Sequence, residues 1–133
     1  RSQRLLLTWL IETPALFEKI EGIITADDFV EHLYHQVAQM VFDGHREGNL
    51  NPAAILSRFI NDEDQYKEVA ALFNASLKES LNNEEQKKAF SETVMKVRKN
   101  SLDVASRNAK DITQLQEIIR QQAALKQLHI SLD

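Results

Sequence analysis

Two histidines, His32 and His35, stand three residues apart in the stretch "DFVEHLYHQVAQMVFDGHRE", with Asp28, Glu31 and Asp43 near them in the chain. Imidazoles and carboxylates are the side chains that bind zinc and its neighbours among the transition metals. The stretch is therefore either a metal site or the solvated face of a helix. Angular position separates the two readings. With Phe29 at zero and about 100° per residue, Val30, Leu33, Tyr34, Val37, Met40 and Val41 fall between about 20° and 140° and define a core face. His32 and His35 fall near about 300° and 240°, on the opposite side, together with Asp28, Gln36 and Gln39. The spacing also departs from the metalloprotease helix, whose histidines are four apart with a glutamate after the first. The expectation is an exposed pair without a metal, in which Asp28 and His32 make an ordinary contact one turn apart. His45 and His129 are isolated and expected at the surface. Phe42 lies off the stripe and is expected either to pack on a neighbouring helix or to mark a contact surface.

Other catalytic arrangements find no footing. The three glycines form no phosphate loop, and no serine or threonine sits in a nucleophile-elbow pattern. The absence of cysteine removes thiolate metal sites, disulfides and cysteine nucleophiles. The acidic run Asp62-Glu63-Asp64 stands at an expected helix start, where the positive end of the helix dipole already accounts for it. No catalytic residue, metal or cofactor is expected, and elimination leaves a binding or scaffolding module.

The elements that would present such a module's surface are helices. The chain has 133 residues, 43% of them apolar and 27% charged, enough for one buried core. Glycine and proline end at Pro52, and the following run of helix-forming residues predicts an all-α fold. Leu5, Leu6, Leu7, Trp9, Leu10 and Ile11 cover nearly every face of the opening helix, which is expected at the centre. Thr13 and Pro14 open a short helix burying Leu16, Phe17 and Ile20. Thr25 with Asp28 forms a capping box for the histidine-bearing helix, and Gly48 stops it. Asn51 and Pro52 open a helix with Ile55, Leu56, Phe59 and Ile60 on its stripe, followed by one with Tyr66, Val69, Ala70, Phe73 and Leu77. Asn83 with Gln86 starts a long helix carrying Phe90, Val94, Val97, Leu102, Val104 and Ala105. Thr113 with Gln116 starts the last one, with Leu115, Ile118, Ile119, Leu125 and Leu128. Two helices with a short connection near "RNAKD" read as an antiparallel hairpin. The expected organisation is a bundle of five to six helices over residues 1–84 and a long helix with a C-terminal hairpin over 85–133.

Charge divides along the same line. Residues 1–83 carry 7 Lys and Arg against 13 Asp and Glu, whereas residues 84–133 carry 9 against 7. Lys96, Arg98, Lys99, Arg107 and Lys110 are the tail cations; a solvated helix face is favoured over phosphate contacts, because the whole chain has a net charge of −4 and few aromatics lie among them. No apolar run approaches the roughly 20 residues of a membrane span. A start at Arg1 is read as a fragment of something longer, and the lack of cysteine as fitting a reducing cytoplasm.

The succession "RSQRLLLTWLIETPALFEKI", "ITADDFVEHLYHQVAQMVFDGHREGNLNPAAILSRF" and "VRKNSLDVASRNAKDITQLQEIIRQQAALKQL" resembles, across essentially the whole chain, the C-terminal helicase-interaction domain of bacterial DNA primases. The likeness rests on the ordered set: a leucine-rich opening helix after Arg4, the helix ending in "REGN" with an Asn-Pro start beyond it, and the closing hairpin. The resemblance implies a domain that binds and stimulates the hexameric replicative helicase and recruits primer synthesis to the fork. In such domains the terminal hairpin docks among the N-terminal domains of the helicase ring. Nucleic acid is then met only through the parent primase, in the cytoplasmic replisome. Carried onto this chain, the expected contacts are Ile112, Leu115, Ile118, Ile119, Gln122, Leu125, Leu128, Ile130 and Leu132, with Arg120 and Lys126 as a polar rim. Leu115, Ile118 and Leu125 equally fit a role in zipping the hairpin, and Ile130 and Leu132 are favoured because they follow the last clear turn. Two alternatives remain, the N-terminal domain of the helicase itself and a small nucleic-acid-binding helical module.

Overall fold

The computed structural model describes residues 1–74, 82–128 and 130, and no strand occurs among them. The fold is all-α. Helix α1, Ser2–Glu12, runs through the middle, with Leu6, Leu7, Trp9 and Leu10 buried, as an apolar surface on nearly every face requires. A 3₁₀ helix over Pro14–Ile20 follows, then a second over Ala26–Asp28, then α2 (His32–Arg46), α3 (Pro52–Ser57), α4 (Glu63–Asn74), α5 (Asn83–Arg107) and α6 (Ile112–Leu125). One core joins α1, Phe17 and Ile20, Phe29, Val37 and Val41 of α2, Ile55, Val69 and Leu72 of α4, and Phe90, Val94 and Val97 of α5. Trp9 and Phe90 meet edge to face with ring centres 6.0 Å apart, which fixes α5 on α1.

The long helix thus straddles the division expected at residue 84. Its first half lies in the bundle core, and its second half pairs with α6. Leu102 is buried there but outside the main core cluster, so it belongs to the hairpin.

Several helix starts lie elsewhere than expected. The Thr25–Asp28 capping box is present, with the Thr25 N–H donating to Asp28 Oδ2 at 2.8 Å, but it opens the short 3₁₀ turn and α2 begins only at His32. Phe29 and Val30 therefore precede the helix, and Val30 is exposed rather than on the core face. The cap of α5 is Asn82, not Asn83: its side chain accepts from the Glu85 N–H, and Glu85 returns the bond. The cap of α6 is Asp111, not Thr113, accepting from the Gln114 N–H at 2.8 Å. In α6 the carboxylate wins over the hydroxyl because it interacts with the positive end of the dipole as well as with the free N–H groups, and in α5 the Glu85 carboxylate closes the box on Asn82. The Thr13 hydroxyl makes no cap and is buried without a partner among the described residues. The signals at Asn51 and Gly48 hold, although α3 ends at Ser57 and Ile60, expected on its buried stripe, is 67% exposed. Asn51 accepts from the Ala54 N–H at 3.2 Å, and Gly48 ends α2 at φ 71° in a Schellman turn, with Asn49 N–H on the Gly44 carbonyl and Gly48 N–H on that of His45. Leu77, His129 and Leu132 lie outside the described residues.

Candidate docking surface

The histidine stretch resolves into packing. His32 is exposed at the first position of α2, and His35 Nδ1 lies 3.0 Å from the Ala26 carbonyl, as a donating N–H would. Asp28 is not on the wet face at all. It is buried, and its Oδ1 accepts from Arg98 Nη1 at 2.7 Å. Sequence periodicity misplaces Asp28 because the helix containing His32 does not reach back to it. Among the described residues no group of three or more histidines and carboxylates comes together. Phe42 packs edge-on against Phe17 and Phe29, and His45, though exposed, stacks on the Phe17 ring at 4.0 Å.

The surface that stands out is on α6. It is a 14-residue helix with no buried residue, packed against α5. Two glutamines show which side faces inward. Gln121 Oε1 accepts from Arg98 Nη2 at 3.2 Å, and Gln122 Nε2 donates to Asp103 Oδ1 at 3.2 Å, both on α5. The inner face lies between them, and at about 100° per residue Ile118 and Leu125 fall within it. Both are half-buried, as seam residues should be. Leu128 is half-buried as well and lines, with Gln121, Leu125, Arg98 and Ile23, a crevice of about 150 Å³ between α6 and the bundle.

Ile112 and Ile119 point the other way. They are 72% and 53% exposed, two turns apart on one line along the helix, with half-buried Leu115 at its edge. Two β-branched apolar side chains in water at this spacing form a short apolar strip. Arg120 and Lys126 are exposed beside it. Arg120 donates to Glu117, and that hydrogen bond holds the Glu117 carboxyl below its ordinary range. Ile130 has an internal role, packing against the core of the bundle, where the sequence had suggested a free tail.

Of the proposed contact residues, then, Ile112, Leu115, Ile119, Arg120 and Lys126 share or border the outer side. Ile118, Gln122, Leu125 and Leu128 are engaged within the molecule. Arg98 and Asp28 were missed as a pair: they are 70 residues apart, and no periodic pattern signals such a contact.

The described residues thus form an all-helical bundle bearing a two-helix appendage with an apolar outer strip. Comparison with family models, with curated proteins and with solved structures finds nothing that matches this chain.

Proposed function

We propose that this chain is a protein-interaction domain of the kind it resembles, the helicase-interaction domain of a bacterial primase. On this reading α6 is the element that docks on the N-terminal domains of the hexameric replicative helicase. The domain itself catalyses nothing; it brings primer synthesis to newly unwound template in the cytoplasmic replisome and stimulates the helicase. The observation that supports this best is the exposure of Ile112 and Ile119 on a helix whose opposite face is already committed to α5. An amphipathic helix that leaves such a strip in water is suited to lie in an apolar groove of a partner. Apolar anchors of this kind commonly cost about 2 kcal/mol or more when lost from an interface, enough to read singly.

The test is calorimetric titration of the chain into the purified helicase hexamer of the same organism, beside an Ile112→Asp, Ile119→Asp variant. Binding by the parent and none by a variant of unchanged helicity is the expected result. Equal binding by both would move the interface to another face. No binding of the parent at tens of micromolar, in low salt, would end the helicase reading.

A further inference from the structure

Arg98 sits where the bundle, the long helix and the docking helix meet. It follows Val97, the last core residue of α5. Its Nη1 donates to Asp28 Oδ1 at 2.7 Å and its Nη2 to Gln121 Oε1 at 3.2 Å. Asp28 is itself immobilised, because its second oxygen accepts the Thr25 N–H at 2.8 Å and the side chain is only 5% exposed. A guanidinium is a planar fork, so bonds from both of its arms fix a direction as well as a distance.

Gln121 lies about 160° around the helix axis from Ile119. A bond that holds Gln121 inward therefore holds Ile119, and Ile112 in line with it, outward. The remaining attachments of α6 constrain this less. The apolar contacts of α6, the seam of Ile118 and Leu125 with α5 and the packing of Leu128 beside Ile23 and of Ile130 on the core beyond its end, are non-directional and tolerate rotation and sliding. The Gln122–Asp103 bond joins α6 to α5 alone. Only through Arg98 is the middle of α6 referred by hydrogen bonds to the bundle, among the described residues.

We propose that Arg98 is the positioning residue of the docking helix: acting through Gln121, it sets the rotation and tilt of α6 relative to the bundle and so presents Ile112 and Ile119. The consequence for binding rests on the helicase reading above, whereas the geometric claim does not.

The chain has no cysteine, so a pair of spin labels is placed cleanly by Gln39→Cys on α2 and Gln116→Cys on α6, both exposed. Pulsed electron paramagnetic resonance on the free chain then reads the distance distribution between bundle and α6. Arg98→Lys keeps a cation for Asp28 but lacks the second arm; Gln121→Ala leaves the Asp28–Arg98 pair untouched. Both variants should melt as the parent does and give a distribution that is broadened or displaced from the parent's single narrow peak. A parent-like peak in both variants would overturn the proposal, since the apolar contacts alone would then orient α6.

The same two variants are titrated against the helicase hexamer. If about a tenth of the molecules retain the docking orientation, affinity falls about tenfold. Displaced distances with unchanged affinity would also overturn the proposal, because α6 would dock without being held. If the parent itself fails to bind, the helicase reading fails, while the distance measurement still decides the positioning role.

Discussion

Replacing Phe90 by alanine tests the packing on which everything else depends. Phe90 is 1% exposed, sits early in α5 and meets the single tryptophan of the chain edge to face. Removing a buried phenylalanine side chain costs about 3 to 5 kcal/mol, part of it transfer of apolar surface and part the cavity left behind. The edge contact with Trp9 is included in that range as about 1 kcal/mol. A loss of about 4 kcal/mol is a large share of the roughly 5 to 15 kcal/mol that holds a domain together. In urea, with a slope of about 2 kcal/mol per molar, the midpoint should fall by about 2 M. Trp9 supplies the fluorescence signal from within the same contact, and far-UV circular dichroism supplies one from all helices. The two should remain coincident in the parent, because α5 carries both the bundle core and the hairpin seam. A midpoint shift under about 0.5 M, with the variant still helical, would refute the docking of α5 on α1.

Three further outcomes follow from individual contacts. Asp111→Ala removes the cap of α6 and should cost about 1 kcal/mol locally, seen as faster amide exchange over the first turn of α6 with the bundle amides unchanged. Ile112→Asp with Ile119→Asp should alter the melting free energy by no more than about 0.5 kcal/mol each, since both side chains already lie in water; a large loss of stability would mean that they are packed. Tyr34 is buried and donates to Glu68; burial first, and then that bond, raises the phenol well above its ordinary value of about 10. A raised acid is held neutral by the fold, so its stabilising contribution is whole below about pH 10 and is lost as the pH climbs toward the folded-state value. Tyr34→Phe should flatten the alkaline fall in stability, and an unchanged slope between parent and variant would remove Tyr34 as its cause.

The helical class of this protein and most of its core were legible in the sequence because helix periodicity and burial are local signals. Leu6, Leu10, Val37, Val41, Val69, Phe90 and Val94 recur at helical intervals, and each is buried. The caps of α3, α5 and α6 were legible to within two residues: Asn51 stands where proline frames it, whereas Asn82 and Asp111 each had a rival cap close by; Thr25, by contrast, caps a 3₁₀ turn, and α2 starts only at His32. The list of candidate contacts on α6 was legible as an apolar pattern, but not its division between seam and strip. Ile118 and Ile119 are adjacent and chemically identical, and only the direction in which α6 meets α5 puts one in the seam and the other in water. That direction depends on Gln121 and Gln122 reaching Arg98 and Asp103, contacts that join residues about one helix length or more apart. The Asp28–Arg98 pair is the extreme case. Nothing in the local pattern around either residue requires a partner, since a carboxylate at a cap and a cation on a helix each satisfy their own surroundings; it took the folding of α5 across α1 to bring them together and make one ion pair out of two ordinary surface signals.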